Sequence, residues 1–199
     1  MTMPETVTFD ARTALVVVDV QNDFADPKGS LYVDGGEQIV PAVNQLAASA
    51  RESGAVVVYT QDWHPPTTPH FQSQGGIWPV HCVQGTWGAE LHPDLDVAGP
   101  VVRKGSGGED GYSGFAVRDV GTGAEQPTEL DAILRKHEVR RVVIVGLAED
   151  VCVKETAVDA RRLDYETTVL REATRAVNLS PGDEQAAIEA MEAAGVTVR

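Results

Sequence analysis

Three residues whose types suit nucleophilic chemistry stand where short apolar runs end. Asp19 follows the run 14–18, and Lys104 comes two residues after the run 101–102. Cys152 closes the segment Gly146-Leu147-Ala148-Glu149-Asp150-Val151-Cys152, which follows the run 142–145 and leads into a helix-like stretch. A cysteine in the first turn of a helix meets the positive end of the helix dipole and unpaired backbone N–H groups. Both favour the thiolate, and the same N–H groups can hold an oxyanion formed by attack on a carbonyl. A neighbouring lysine lowers the thiol further, and a carboxylate can relay its proton. On residue type alone a buried, inert cysteine is the commoner outcome. The strand-to-helix position beside an acid and a cation shifts the reading to a nucleophile. Cys82 has no such setting and is assigned to structure.

Asp19 could instead cap a turn within residues 19–23. A carboxylate directly behind five apolar residues is poorly solvated, however, and calls for a cationic partner. Lys104 is one of four lysines in a chain where arginine outnumbers lysine three to one. A lysine at a strand end therefore suggests a specific need for an ammonium.

A second group is Asp62-Trp-His64, followed by His70 and His81. Residues two apart on an extended chain point the same way, so Asp62 and His64 can share a ligand. One carboxylate and three imidazoles suit a borderline divalent metal, with positions left for water or substrate. The competing reading is a loop whose histidines cap turns at Pro65, Pro66, Pro69 and Pro79. Spacing leaves these two open. His92 and His137 are assigned to structure or surface.

The elements that must position these groups follow from hydrophobic pattern. Strands are expected at 14–18, 55–59, 101–102, 142–145 and 168–170, with 196–198 as a sixth. Several are continuous Val, Ile and Leu, as in parallel strands buried on both faces. Helices are expected at 37–53, 128–138, 151–163 and 181–194. Thr128 with Asp131, and Ser180 with Pro181, mark helix starts, while Gly54 and Gly195 mark helix ends. The alternation predicts an α/β fold: a three-layer, doubly wound, mostly parallel sheet with helices on both faces. Ligands bind such a sheet at the carboxyl ends of its strands, where the acid, lysine and thiol collect. Residues 62–100 and 105–127 read as long loops, the first too rich in His and Trp to be disordered.

Composition excludes several classes of function. The chain of 199 residues carries a formal charge of −14, which speaks against nucleic acid and anionic membranes as partners. No apolar run has the length of a membrane span, and the first residues lack a signal-peptide pattern. Two cysteines cannot make a disulfide framework. The expected location is the cytoplasm.

Val-Asp-Val-Gln-Asn-Asp-Phe (18–24), the Lys104 strand end and Gly-Leu-Ala-x-Asp-x-Cys (146–152) resemble the isochorismatase-like cysteine hydrolases. Asp62-Trp-His64, His70-Phe71 and Trp78-Pro-Val-His81-Cys-Val resemble the nicotinamidase/pyrazinamidase branch of that family. The resemblance runs from about residue 14 to the C-terminus, implying one domain over 13–199 and a tail over 1–12.

It implies that Asp19, Lys104 and Cys152 are the catalytic triad and that Asp62, His64, His70 and His81 hold one divalent metal. Zinc is the first expectation for that ion, with iron or manganese as alternatives. It further implies a cis peptide at Leu147–Ala148, oxyanion donors at Ala148 and Cys152, and a substrate ring lined by Phe24, Trp78 and Tyr112. The implied reaction is nicotinamide to nicotinate and ammonia in NAD salvage, with pyrazinamide cleaved likewise. A metal-independent amidohydrolase acting on carbamoyl or ureido substrates is the alternative; isochorismate hydrolysis and a catalytically silent binding protein rank below it. Assembly into a homo-oligomer is left open. Glu149 stands where the family usually has Thr, and Val151 where it has an aromatic residue or His. Glu149 is expected to add negative charge near the thiol.

Overall fold

The computed structural model describes residues 7–199. Its centre is a parallel six-stranded sheet. The strands are β1 (Thr13–Val18), β2 (Val56–Asp62), β3 (Val101–Lys104), β6 (Arg141–Leu147), β7 (Glu166–Arg175) and β8 (Thr197–Val198), in spatial order β3-β2-β1-β6-β7-β8. The chain therefore winds outward from β1 in one direction and, from β6, in the other. The crevice between β1 and β6 is where an open α/β sheet leaves room for a ligand.

Alternation along β1 splits the interior in two. Leu15 and Val17 face a core completed by Val43, Ala47 and Ala50 of α2 (Val40–Glu52). Ala14, Val16 and Val18 face the other core. That one is closed by α3 (Leu130–Lys136), α4 (Lys154–Arg162) and α5 (Asp183–Ala193), through Leu134, Ala157 and Met191. With both faces covered, β1 is buried throughout, which is why it reads as an unbroken apolar run.

The predicted strands are all present, and most run further than their apolar letters. β2 continues through Gln61 and Asp62, and β3 through Arg103 and Lys104, because partner strands supply the ladder whatever the side chain. Residues 105–127 are not all loop: Ala116–Arg118 (β4) and Glu125–Pro127 (β5) pair as an antiparallel ribbon. Its turn is held by Asp119, which accepts from the N–H groups of Gly121 and Thr122 at 3.1 and 2.7 Å.

Helix α5 starts at Asp183, not Pro181. Gly182 sits at φ 95°, and Asp183 accepts from the Ser180 N–H at 2.8 Å. Thr128 accepts from Leu130 N–H at 3.1 Å, as its capping role predicts. A short helix, α1 (Asn22–Ala25), carries the end of the Val-Asp-Val-Gln-Asn-Asp-Phe motif.

The long segment 62–100 has brief 3₁₀ turns and isolated bridges, His64 to Val83 and Phe71 to Trp78, and side chains tie it to the rest. Gln21 donates to Asp62 and Ala89 carbonyls at 2.8 Å each and accepts from Asp62 N–H at 2.8 Å. Asp23 accepts from Cys82 N–H at 2.7 Å. Of the segment expected as a tail, residues 1–6 lie outside the described residues, while Val7 and Phe9 pack on the α2-side core. Among the described residues no helix is long and apolar enough to cross a membrane.

Candidate active site

The register of the sheet brings the chemistry together. Asp19 follows β1, and Asp62 and Lys104 are paired at the ends of β2 and β3. Val18 pairs with Gly146, so the β1 and β6 ends lie side by side. That approach is close: a Cβ on Gly146, at φ 114°, would fall 2.1 Å from the Val18 carbonyl oxygen. The Leu147–Ala148 peptide is cis. Beyond it the chain makes a single π-type turn, Glu149–Val153, before α4 begins. Such turns are rare and concentrate at functional sites. Cys152 lies in it, 7% exposed.

Lys104 is the hub. Its ammonium lies 2.8 Å from Asp19 Oδ2 and 2.8 Å from Asp62 Oδ1, and it donates to the Gly111 carbonyl. Cys152 Sγ is 3.6 Å away. Burial alone would push the lysine down, but Asp19 and Asp62 outweigh it and hold the ammonium well above its ordinary pKa. The two carboxylates are then driven apart. Burial works to raise Asp62, yet Lys104 and then His64 overcome it and keep that carboxyl well below the usual range. Asp19 goes up, because burial, with Asp62 adding, exceeds the pull of Lys104. Thr60 donates to Asp19 Oδ1 at 2.7 Å. Of the two acids, Asp19 is the one poised to take a proton.

The expectation of a lowered Cys152 thiol is corrected. Burial pushes the thiol well up; Lys104 opposes this, and Asp19 and Asp62 add to the rise. A helix end and one lysine do not outweigh burial beside two acids. Cys82 is buried and raised by desolvation, and its Sγ faces the Gly88 carbonyl at 3.9 Å, in line with a structural role.

His64, His70 and His81 meet on the other side of Asp62, with one nitrogen of each within 4.8 Å of the others. Asp62 Oδ2 borders them, 3.3 Å from His64 Nε2 and 3.6 Å from His81 Nε2. His70 Nδ1 is 2.6 Å from Asp110 Oδ1, and His81 Nδ1 is 2.7 Å from the Pro79 carbonyl. Each bond fixes a tautomer with Nε2 free. Neither ring nitrogen of His64 has a well-aligned hydrogen bond, although the ring is wholly buried. An unpartnered buried imidazole is costly in an apo protein and suits a metal ligand. The turn-capping alternative fits only His81, and the donor set fits a borderline divalent ion.

A small pocket lies over the thiol. Cys152, Ala148, Asp62, His70 and His81 face it, and Phe24, Trp78 and Tyr112 contribute aromatic walls. Trp78 Nε1 donates to the Tyr112 hydroxyl at 2.9 Å, and burial lifts that phenol to about 12. Leu31, Val33, Val151 and Val177 complete the lining.

Glu149, expected to add charge near the thiol, is bonded to β7. Its carboxylate accepts from the Thr174 hydroxyl and lies 3.3 Å from Arg171 Nε.

Thr60, Asp110, Leu31, Val33 and Val177 were not read from the sequence. Thr60 shares strand parity with Asp62, which was a usable signal; the others come from loops whose path no local pattern reveals.

The comparisons with known proteins agree with this geometry. The chain is 38% identical to a nicotinamidase of Escherichia coli over 93% of both chains. Its fold superposes on a pyrazinamidase of Pyrococcus horikoshii in complex with zinc, with TM-score 0.83 and 40% identity, covering 94% of this chain and 98% of that one. It superposes equally on PnC1 from L. infantum in complex with nicotinate, with TM-score 0.86 and 36% identity, covering 97% and 95%. A family model, the Isochorismatase domain, matches residues 13–199, which takes in every strand of the main sheet and both groups of reactive side chains, and the chain belongs to that family.

Proposed function

We propose that the chain hydrolyses nicotinamide to nicotinate and ammonia, and pyrazinamide likewise, as a step in NAD salvage in the cytoplasm. The observation that carries the reading is a buried thiol 3.6 Å from the Lys104 ammonium, facing an aromatic-walled cavity that His70 and His81 of the three-histidine cluster border. A relative named nicotinamidase that aligns over 93% of both chains, and a neighbour holding nicotinate, support it.

Asp19 accepts the Cys152 proton as Sγ attacks the carboxamide carbon. The negative charge that forms on oxygen is received by the Ala148 and Cys152 N–H groups. Asp19 returns the proton to nitrogen, the C–N bond breaks, and ammonia leaves. Water then attacks the thioester while Asp19 takes its proton; the C–S bond breaks and the proton returns to Sγ. Lys104 balances the charge as it passes between Asp19 and Cys152. Phe24, Trp78 and Tyr112 hold the ring.

Asp62, His64, His70 and His81 would hold one divalent metal, zinc by the chemistry of the donor set. When bound, the ion offers a coordination place to the ring nitrogen of the substrate.

Ammonia release from nicotinamide and from a carbamoyl compound, compared in wild type and Cys152→Ala, tests the reading. Turnover of nicotinamide that depends on Cys152 is expected; turnover of the carbamoyl compound alone would replace it with the metal-independent alternative.

A further inference from the structure

Glu149 and Asp150, between the cis peptide and the nucleophile, are both buried, at 2% and 7% exposure. On the thiol, burial and then Lys104, Asp19 and Asp62 weigh most. Asp150 accepts from two backbone N–H groups, Val177 at 2.9 Å on Oδ1 and Asn178 at 2.8 Å on Oδ2. Glu149 accepts from Thr174 and Arg171. All four donors fall within residues 171–178, at the end of β7 and the start of its connection to α5.

The clamp acts on the one piece of backbone whose direction matters most to an acyl transfer. Regular α-helix begins only at Lys154, so the Ala148 and Cys152 N–H groups lie outside it. Inside the π-type turn Glu149–Val153 the Ala148 carbonyl accepts from the Val151 and Val153 N–H groups at 3.1 and 3.0 Å, and from outside the turn is held through the Asp150 and Glu149 carboxylates. A buried carboxylate that accepts two N–H groups at different oxygens tolerates little rotation, and such charge-assisted bonds are the strong ones.

We propose that Asp150, seconded by Glu149, is a positioning residue for the reaction: it ties the nucleophile turn to the β7–α5 connection and so aims the oxyanion donors. This rests on the reading of function above. It makes the departure at Glu149 part of the machinery's support rather than a perturbation of the thiol.

Pyridine-3-carbaldehyde and 3-methylpyridine separate this role from general stability. The aldehyde adds the Cys152 thiol: a C–S bond forms, the carbonyl π pair moves to oxygen, and the thiol proton ends there. The adduct oxygen sits where an oxyanion would, whereas 3-methylpyridine offers the ring with no carbonyl. Inhibition constants for both, with kcat and KM for nicotinamide, are measured on metal-loaded wild type, Asp150→Asn, Glu149→Ala and Glu149→Gln. Circular dichroism and metal content check each fold.

Asp150→Asn sets an amide NH₂ against a backbone N–H. It should lose about 10–100-fold in aldehyde affinity and in kcat, on the scale of a misaimed oxyanion donor, with KM and 3-methylpyridine affinity within about threefold. Glu149→Ala should show the same split and carries the test if Asp150→Asn does not fold; Glu149→Gln, which keeps an acceptor, should recover most of it. Equal losses for both probes, or none for either, would overturn the proposal. A wild type that binds neither probe and spares nicotinamide would instead overturn the function on which it rests.

Discussion

Lys104 and Asp62 are joined at 2.8 Å, and that single ion pair is the seam between the two halves of the site. On one side the same ammonium reaches Asp19 and Cys152; on the other the same carboxylate borders His64 and His81. The proposed nucleophile and the proposed metal ligands are therefore coupled through one buried cation. A buried lysine between two acids is stable only with both partners present, since removing one leaves a charge uncompensated.

The nucleophile assignment predicts opposite outcomes for the two cysteines. Cys152→Ala should abolish turnover with fold and metal content intact. Cys82→Ala should retain most activity, because no activating group adjoins it. A dead Cys82 variant beside an active Cys152 variant would reverse the assignment.

Asp19→Asn keeps the shape and cannot accept a proton, so kcat should fall by about 10²–10⁴. Since Asp19 must be unprotonated to act and its pKa is raised by burial, kcat/KM of the wild type should fall as pH drops through a value above the ordinary carboxylate range. Lys104 lowers the thiol against the effect of burial, so Lys104→Ala should move iodoacetamide alkylation of Cys152 to higher pH. An unchanged alkylation profile would remove Lys104 from this role.

Benzamide retains ring and carboxamide but lacks the ring nitrogen. A site built to pair one substrate atom rejects the analogue without it by up to about 10⁴–10⁵-fold, so benzamide should be a very poor substrate and pyrazinamide a good one. Stripping the metal, or changing His64 or His81 to Ala, should hurt nicotinamide far more than benzamide. Equal kcat/KM for both in the metal-loaded enzyme would eliminate a positioning role for the ion.

Asp110 orients His70 through a 2.6 Å contact with Nδ1. Groups that orient a metal-bound imidazole typically contribute about 10–100-fold in affinity. Asp110→Ala should weaken metal binding by about that factor in a chelator competition, with the melting temperature of the metal-free protein little changed.

Gly146→Ala should not fold normally. The added methyl would lie 2.1 Å from the Val18 carbonyl oxygen at a φ of 114°, between two central strands that cannot part. The loss should far exceed the roughly 1 kcal/mol of a typical substitution, seen as a collapsed melting temperature or insoluble protein.

Sequence by itself determined the set of elements and the reactive residues at their ends. Continuous Val runs identify strands buried on both faces, and a residue just past such a run must lie at a strand end, which points to Asp19 and Lys104; Cys152, seven residues past its run, is pointed to by the strand-to-helix turn it occupies. Asp62 and His64 were paired by the two-residue period of an extended chain. Residue order and type cannot say how far apart these groups stand, and three features hang on distance. The thiol is raised rather than lowered, because desolvation beside Asp19 and Asp62 exceeds what Lys104 returns. Glu149 bonds to Thr174 and Arg171, which lie more than twenty residues on and meet it only through the β6–β7 pairing. Asp110 reaches His70 across forty residues because a glycine-rich loop folds back over the β2 and β3 ends. Local pattern is set by short-range sterics and hydrophobic period, whereas electrostatics depends on depth and separation, and those exist only once the sheet has assembled.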